Sequence, residues 1–99
     1  MEEIKIAPTK FWVIAAYKQG PDGFVKFWRP QPGWGEWVDD IARAKHYATL
    51  GTANRENNKE DAGYIRGYGK VPMIQRYGND VKFLVLEATA QVTLAVADQ

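Results

Sequence analysis

Apolar and polar positions divide this chain into two β-rich ends around a helical middle. From Lys10 to Lys18 both alternating sets are apolar: Phe11, Val13, Ala15 and Tyr17 on one side, Trp12, Ile14 and Ala16 on the other. That pattern predicts a strand covered on both faces, because β-branched and aromatic residues favour an extended chain over a helix. Gln19 to Gly23 (QGPDG) predicts a reversal, with Pro presetting φ and Asp-Gly closing the turn. Phe24 to Arg29 then returns as a second strand, ended by Pro30, and the two form a hairpin.

Pro30 to Gly35 (PQPGWG) reads as a loop, since Pro removes a ladder donor and Gly tolerates positive φ. Trp37-Val38 leads into a helix whose expected N-cap is Asp39, with Asp39 and Asp40 at the positive end of the dipole. Thr49 is the expected cap of a second short helix carrying Leu50 and Ala53 towards Lys59. One broken helix from Asp40 to Asn58 is the alternative; two short ones fit the spacing better. Ala62 to Pro72 (AGYIRGYGKVP) reads as a long loop.

The last third turns β again. Met73 to Tyr77 is read as a short strand, Gly78-Asn79-Asp80 as a turn, and Val81 onward as a long strand. From Leu84 the even positions to Val96 are all apolar, while Glu87, Thr89, Gln91 and Thr93 between them are polar. A period of two predicts one buried face. Such a strand exceeds the usual length by roughly half. It either bends at a bulge near Glu87 or Ala88, or pairs its far end outside its own domain. The second outcome predicts a homodimer with Ala88, Ala90, Val92, Leu94 and Val96 at the interface, because an unpaired apolar edge needs a cover.

These elements add up to α+β: a four-stranded antiparallel sheet, in the chain order β-β-α-α-β-β, with short helices on one face. Residues 1–99 read as a single domain, with 1–9 a loosely ordered arm. At 45% hydrophobic the chain can offset its ordering entropy by burial. A net charge of +1 supplies no global field for nucleic acid or anionic membrane. The opening residues MEEIKIAPTK resemble no secretory signal, so a cytoplasmic protein without membrane contact is expected.

Chemistry is sparse. There is no Cys and no Ser, and His46 is the only histidine, so no thiolate site and no nucleophile–base set can be assembled. His46 reads as a helix-end imidazole, and the Asp39-Asp40 pair as caps rather than as paired catalytic acids. Neither catalytic residues, nor a metal, nor a cofactor is expected. Two features suggest contact instead. Tyr64, Arg66, Tyr68 and Lys70 interleave aromatic and basic side chains on a Gly-rich segment, a composition suited to bases and phosphates or to packing over the sheet. Of the four tryptophans, Trp12 and Trp28 face each other across the hairpin, Trp37 belongs to the core, and Trp34 at a loop tip is the contact candidate. Arg29, with Lys18 and Lys26, is a candidate phosphate contact beside the hairpin.

Residues 23–53, GFVKFWRP followed by GEWVDDIARAKHYATLGTA, resemble small bacteriophage and prophage proteins. In these a sheet strand precedes a W-x-x-D…A-x-x-F/Y…T/S…A pattern. The resemblance implies an α+β fold and a phage or mobile-element origin. It also implies a protein that binds a host or defence-system component, or that sequesters a small nucleotide. It is a packing pattern and transfers no functional residue. The expected function is therefore a non-enzymatic inhibitor that occludes a host or defence-system protein. The alternative is a nucleotide or single-stranded nucleic-acid binder using residues 63–70.

Overall fold

The computed structural model describes residues 3–5, 9–32, 34–58, 70–90 and 93–95. The chain runs β1 (Glu3–Lys5), β2 (Thr9–Lys18), β3 (Phe24–Gln31), β4 (Trp34–Val38), a 3₁₀ turn (Ile41–Arg43), α1 (Leu50–Asn57), α2 (Lys70–Tyr77), β5 (Lys82–Ala90) and β6 (Thr93–Ala95). Four antiparallel strands in the order β4-β3-β2-β5 form the main sheet, and β1 and β6 pair separately. The class is α+β, as the sequence predicts. The chain order differs, with two strands and one helix placed where the sequence suggested otherwise.

The β2–β3 hairpin forms as expected, Gly20 taking φ 106° at the reversal. Its ladder stops at Ala15↔Phe27, and the two strands then part. The gap is filled by residues 45–47. Lys45 donates its N–H to the Trp28 carbonyl at 3.0 Å, and Tyr47 exchanges two backbone bonds with Trp12 at 2.8 and 2.9 Å. This insertion explains why the first helix is only one 3₁₀ turn: Ala44 must leave it extended (φ −73°, ψ 161°) to reach the sheet. The cap is Asp40, whose Oδ1 accepts the Ala42 N–H at 2.9 Å, and not Asp39, which pairs with Lys26 at 2.9 Å instead.

Pro30 to Gly35 is strand rather than loop at both ends, with Pro30 opposite Gly35 and Gln31 opposite Trp34. Pro30 sacrifices no ladder bond there. Trp28 turns its carbonyl away from β4 towards Lys45, so by alternation the missing N–H of Pro30 also lies on the side away from β4. Gly35 is required by packing, because a Cβ there would lie 2.8 Å from Cζ2 of the buried Trp28 ring.

Met73 to Tyr77 is helix, not strand. Met73 and Tyr77, four residues apart, fall on one side of the helix and both pack on the sheet beside Ala16 and Val81. Gly78 closes the helix with φ 106°, donating its N–H to the Ile74 carbonyl at 2.8 Å. Thr49 caps α1 as expected, its side chain accepting the Thr52 N–H at 3.2 Å.

β5 pairs with β2 in unbroken register from Lys82↔Tyr17 to Ala90↔Thr9, with no bulge. Its burial sense is the reverse of the expected one. Phe83 and Val85 face the helices, whereas Leu84 and Leu86 lie on the opposite face and remain 38% and 37% exposed. The far end pairs within the chain: Thr93–Ala95 pairs with Glu3–Lys5, Leu94 opposite Ile4. Those three N-terminal residues, expected within a loose arm, are therefore a strand. Val92 and Val96 lie outside the described residues.

Both helices pack on one face. Ile14, Trp28, Tyr47 and Ala53 form one cluster, and Ala16, Met73 and Val81 the other, with Trp37 against both. None of the described helices is long and apolar enough to cross a membrane.

Candidate binding face

The second face of the sheet carries the odd positions of β2 and their register partners: Phe11, Val13, Ala15 and Tyr17, then Val25 and Phe27, then Leu84, Leu86, Ala88 and Ala90. Among the described residues no helix packs there. Val13 and Ala15 at its centre are fully buried, with Leu86 opposite Val13 and with Phe27 and Leu84 opposite Ala15 in the register. Around them Val25, Leu84 and Leu86 keep 41%, 38% and 37% of their surface exposed.

At the end of this face, where Thr9 and Ala90 close the β2–β5 ladder, lies an open cleft of about 850 Å³. Its walls are Phe11, Ala90, Ile41, Ala42 and Ala48, with Thr9, Thr89 and Lys10 at the rim and Tyr47 and His46 from the inserted segment. The His46 ring stacks on Phe11 with centroids 4.1 Å apart and 20° between planes. Its Nε2–H donates to the Ile41 carbonyl at 2.9 Å, which ties the 3₁₀ turn to the sheet. The one histidine is thus a clamp that holds the cleft open. Lys10 reaches Glu87 at 3.2 Å across the strands. Burial pushes the Tyr47 phenol up to about 12, and the negative charge of Glu56 adds to the effect. Among the described residues no group of three or more metal-ligating side chains gathers.

The cleft is an apolar recess with a few rim hydroxyls and one lysine. Comparison with protein-family models, with curated proteins and with solved structures finds no match to this chain.

Of the contact residues expected from the sequence, Arg29 and Lys70 do not line the cleft. Tyr64, Arg66 and Tyr68 lie outside the described residues. Lys70 opens α2, where its Nζ donates to the Asn57 carbonyl and stands 5.3 Å from the Phe83 ring centroid. Arg29 pairs with Glu36 at 3.1 Å, and Arg43 reaches the same carboxylate at 3.6 Å. Lys18 donates to the Tyr77 carbonyl at 2.5 Å, and Lys26 is held by Asp39. The backbone of Trp34 belongs to β4 rather than to a loop tip. Phe11, Ile41, Ala42 and Leu86 were missed as contact residues. A signal for them existed in β2, whose two apolar faces call for two covers where the sequence offers helices for only one.

Proposed function

We propose that this chain is a non-enzymatic binding protein that occludes a protein partner, seating an apolar side chain of that partner in the cleft beside Phe11 and Ile41. One observation carries the reading: the recess is walled by the apolar Phe11, Ala90, Ile41, Ala42 and Ala48, and Ile41 is 36% exposed. Apolar surface gathered in this way is characteristic of protein interaction sites. A volume of about 850 Å³ accommodates an aromatic or branched side chain with its flanking backbone. An inhibitor of a host or defence-system component, encoded by a phage, is the form of this function that the resemblance of residues 23–53 favours. The nucleotide reading is weakened, because Lys18, Lys26, Arg29 and Lys70 are each engaged by partners within the chain.

The test is to fill the cleft. Ala42 is exposed on the 3₁₀ turn, so Ala42→Trp should leave the fold intact and occupy the recess. A partner identified by mass spectrometry from host lysate, then purified, should bind the unmodified chain and lose at least about tenfold in affinity, about 1.4 kcal/mol, to Ala42→Trp. Arg55→Ala on exposed α1 should bind normally. Equal binding by the filled variant would remove the cleft from the interface. A large thermal stabilisation by nucleotides would favour the alternative, since a ligand at 100 times its Kd adds about 2.7 kcal/mol.

A further inference from the structure

Among the described residues no strand pairs with the outer edge of β5, and the direction of its backbone groups follows from bonds on the other side of β2. Trp12 points its N–H and carbonyl away from β5, towards Tyr47. Its register partner Glu87 is therefore a non-hydrogen-bonded position of the β2–β5 ladder, and the Glu87 N–H and carbonyl point outward. Alternation extends this to Phe83, Val85 and Thr89. Asn57 agrees with the assignment, its Nδ2 donating to the Phe83 carbonyl from α1 at 3.1 Å. Among the described residues no other hydrogen bond reaches these outward groups.

Natural sheets protect an edge of this kind with proline, a bulge, a very short strand or inward charge. β4, the opposite edge, is short and carries Glu36 held by two arginines. β5 has none of these devices. It contains no proline and no bulge, its Lys82 stands at the very start, and its Glu87 is drawn towards Lys10 on its own sheet. Leu84 and Leu86 are exposed on the same strand.

We propose that β5 pairs antiparallel with β5 of a second copy, about a two-fold axis at Leu86, joining two four-stranded sheets into one. A two-fold axis perpendicular to the sheet keeps each face with itself, so the axis must pass through a residue rather than between two. Charge and register select which residue. An axis at Glu87 opposes two carboxylates, which is unfavourable. An axis at Val85 leaves Thr89 beyond the partner strand. At Leu86 the outward groups of Val85 meet those of the second copy's Glu87, and the Phe83 N–H, whose carbonyl already accepts from Asn57, meets the carbonyl of the second copy's Thr89. No like charges then stand opposite one another. The two Leu86 side chains meet at a non-hydrogen-bonded pair, where cross-strand side chains approach most closely, and Leu84 lies beside the second copy's Ala88. The pairing thus brings both exposed leucines against the second copy, while Phe11, Ile41 and Ala42 of the cleft wall are not on the paired strand. The interface differs from the one expected between Ala88 and Val96, since β6 is already paired with β1 and the free edge lies earlier in the strand.

Light scattering on the eluting protein at micromolar concentration should report about twice 11.2 kDa. Leu86→Lys, which sets two ammonium groups against each other at the axis, should reduce the mass to that of one chain while the circular dichroism stays unchanged. Leu50→Lys on exposed α1 should remain dimeric. Amide exchange at Val85 and Glu87 in the unmodified chain should slow as concentration rises. That measurement decides the matter should Leu86→Lys fail to fold. A monomer at every concentration would overturn the proposal, and so would a dimer whose Val85 and Glu87 amides exchange freely.

Discussion

Replacing Trp28 with Ala is expected to destabilise the fold by about 3–5 kcal/mol, the range for truncating a large buried aromatic. Trp28 is 2% exposed and packs with Ile14, Tyr47 and Ala53. The Trp37 ring lies 5.0 Å away at 51°, a tilted pairing that adds to area burial. Gly35 is shaped around the indole, so β4 loses its packing partner together with the core. The Trp28 backbone also receives Lys45, the first residue of the inserted segment that carries His46 and Tyr47 to the cleft. Small domains hold only about 5–15 kcal/mol in total, so the variant should be largely unfolded or close to it at 37 °C. Urea titration followed by far-ultraviolet circular dichroism measures this directly. A loss below about 1 kcal/mol would mean that the space collapses around Ala and that the first cluster does not depend on the indole.

Raising the pH should weaken the fold between about pH 10 and 12, and Tyr47 should be responsible. Its phenol titrates at about 12 in the folded chain against 10.0 ordinarily, held up by burial first and by Glu56 second. The folded state therefore favours the neutral phenol. Its contribution is complete below the unfolded value and disappears as pH rises through the folded one. The gap corresponds to roughly 3 kcal/mol. Other tyrosines and lysines titrate in the same window, so the informative quantity is a difference. Urea midpoints at about pH 9 and pH 11.5 should fall further for the unmodified chain than for Tyr47→Phe. Parallel losses in both proteins would show that the ring leaves the core without ionising.

The sequence by itself determined the local elements whose signals lie within a few residues. Asp22-Gly23 after Pro21 specifies the β2–β3 reversal, Thr49 caps α1 through its own side chain, and the doubly apolar run from Phe11 to Tyr17 makes β2 the central strand. The absence of Ser and Cys, and with it of Ser–His and Cys–His pairs, is likewise a matter of residue types alone. Register, facing and capping at the remaining places were decided by contacts across the chain. Met73 and Tyr77 suit a strand by composition, yet the segment is helical and packs both side chains beside Ala16 and Val81. Asp39 looks like a cap until Lys26, thirteen positions earlier on β3, takes its carboxylate. The even-numbered stripe of β5 was legible, but its orientation was not: alternation states that two faces differ, and only the landing of α1 and α2 on Phe83 and Val85 states which one is covered. The cleft is the least legible feature, because Phe11, Ile41 and Ala90 meet only once residues 45–47 enter the gap between β2 and β3. That gap arises where β2 leaves β3 beyond Ala15, a long-range pairing event with no local signature in the amino-acid order.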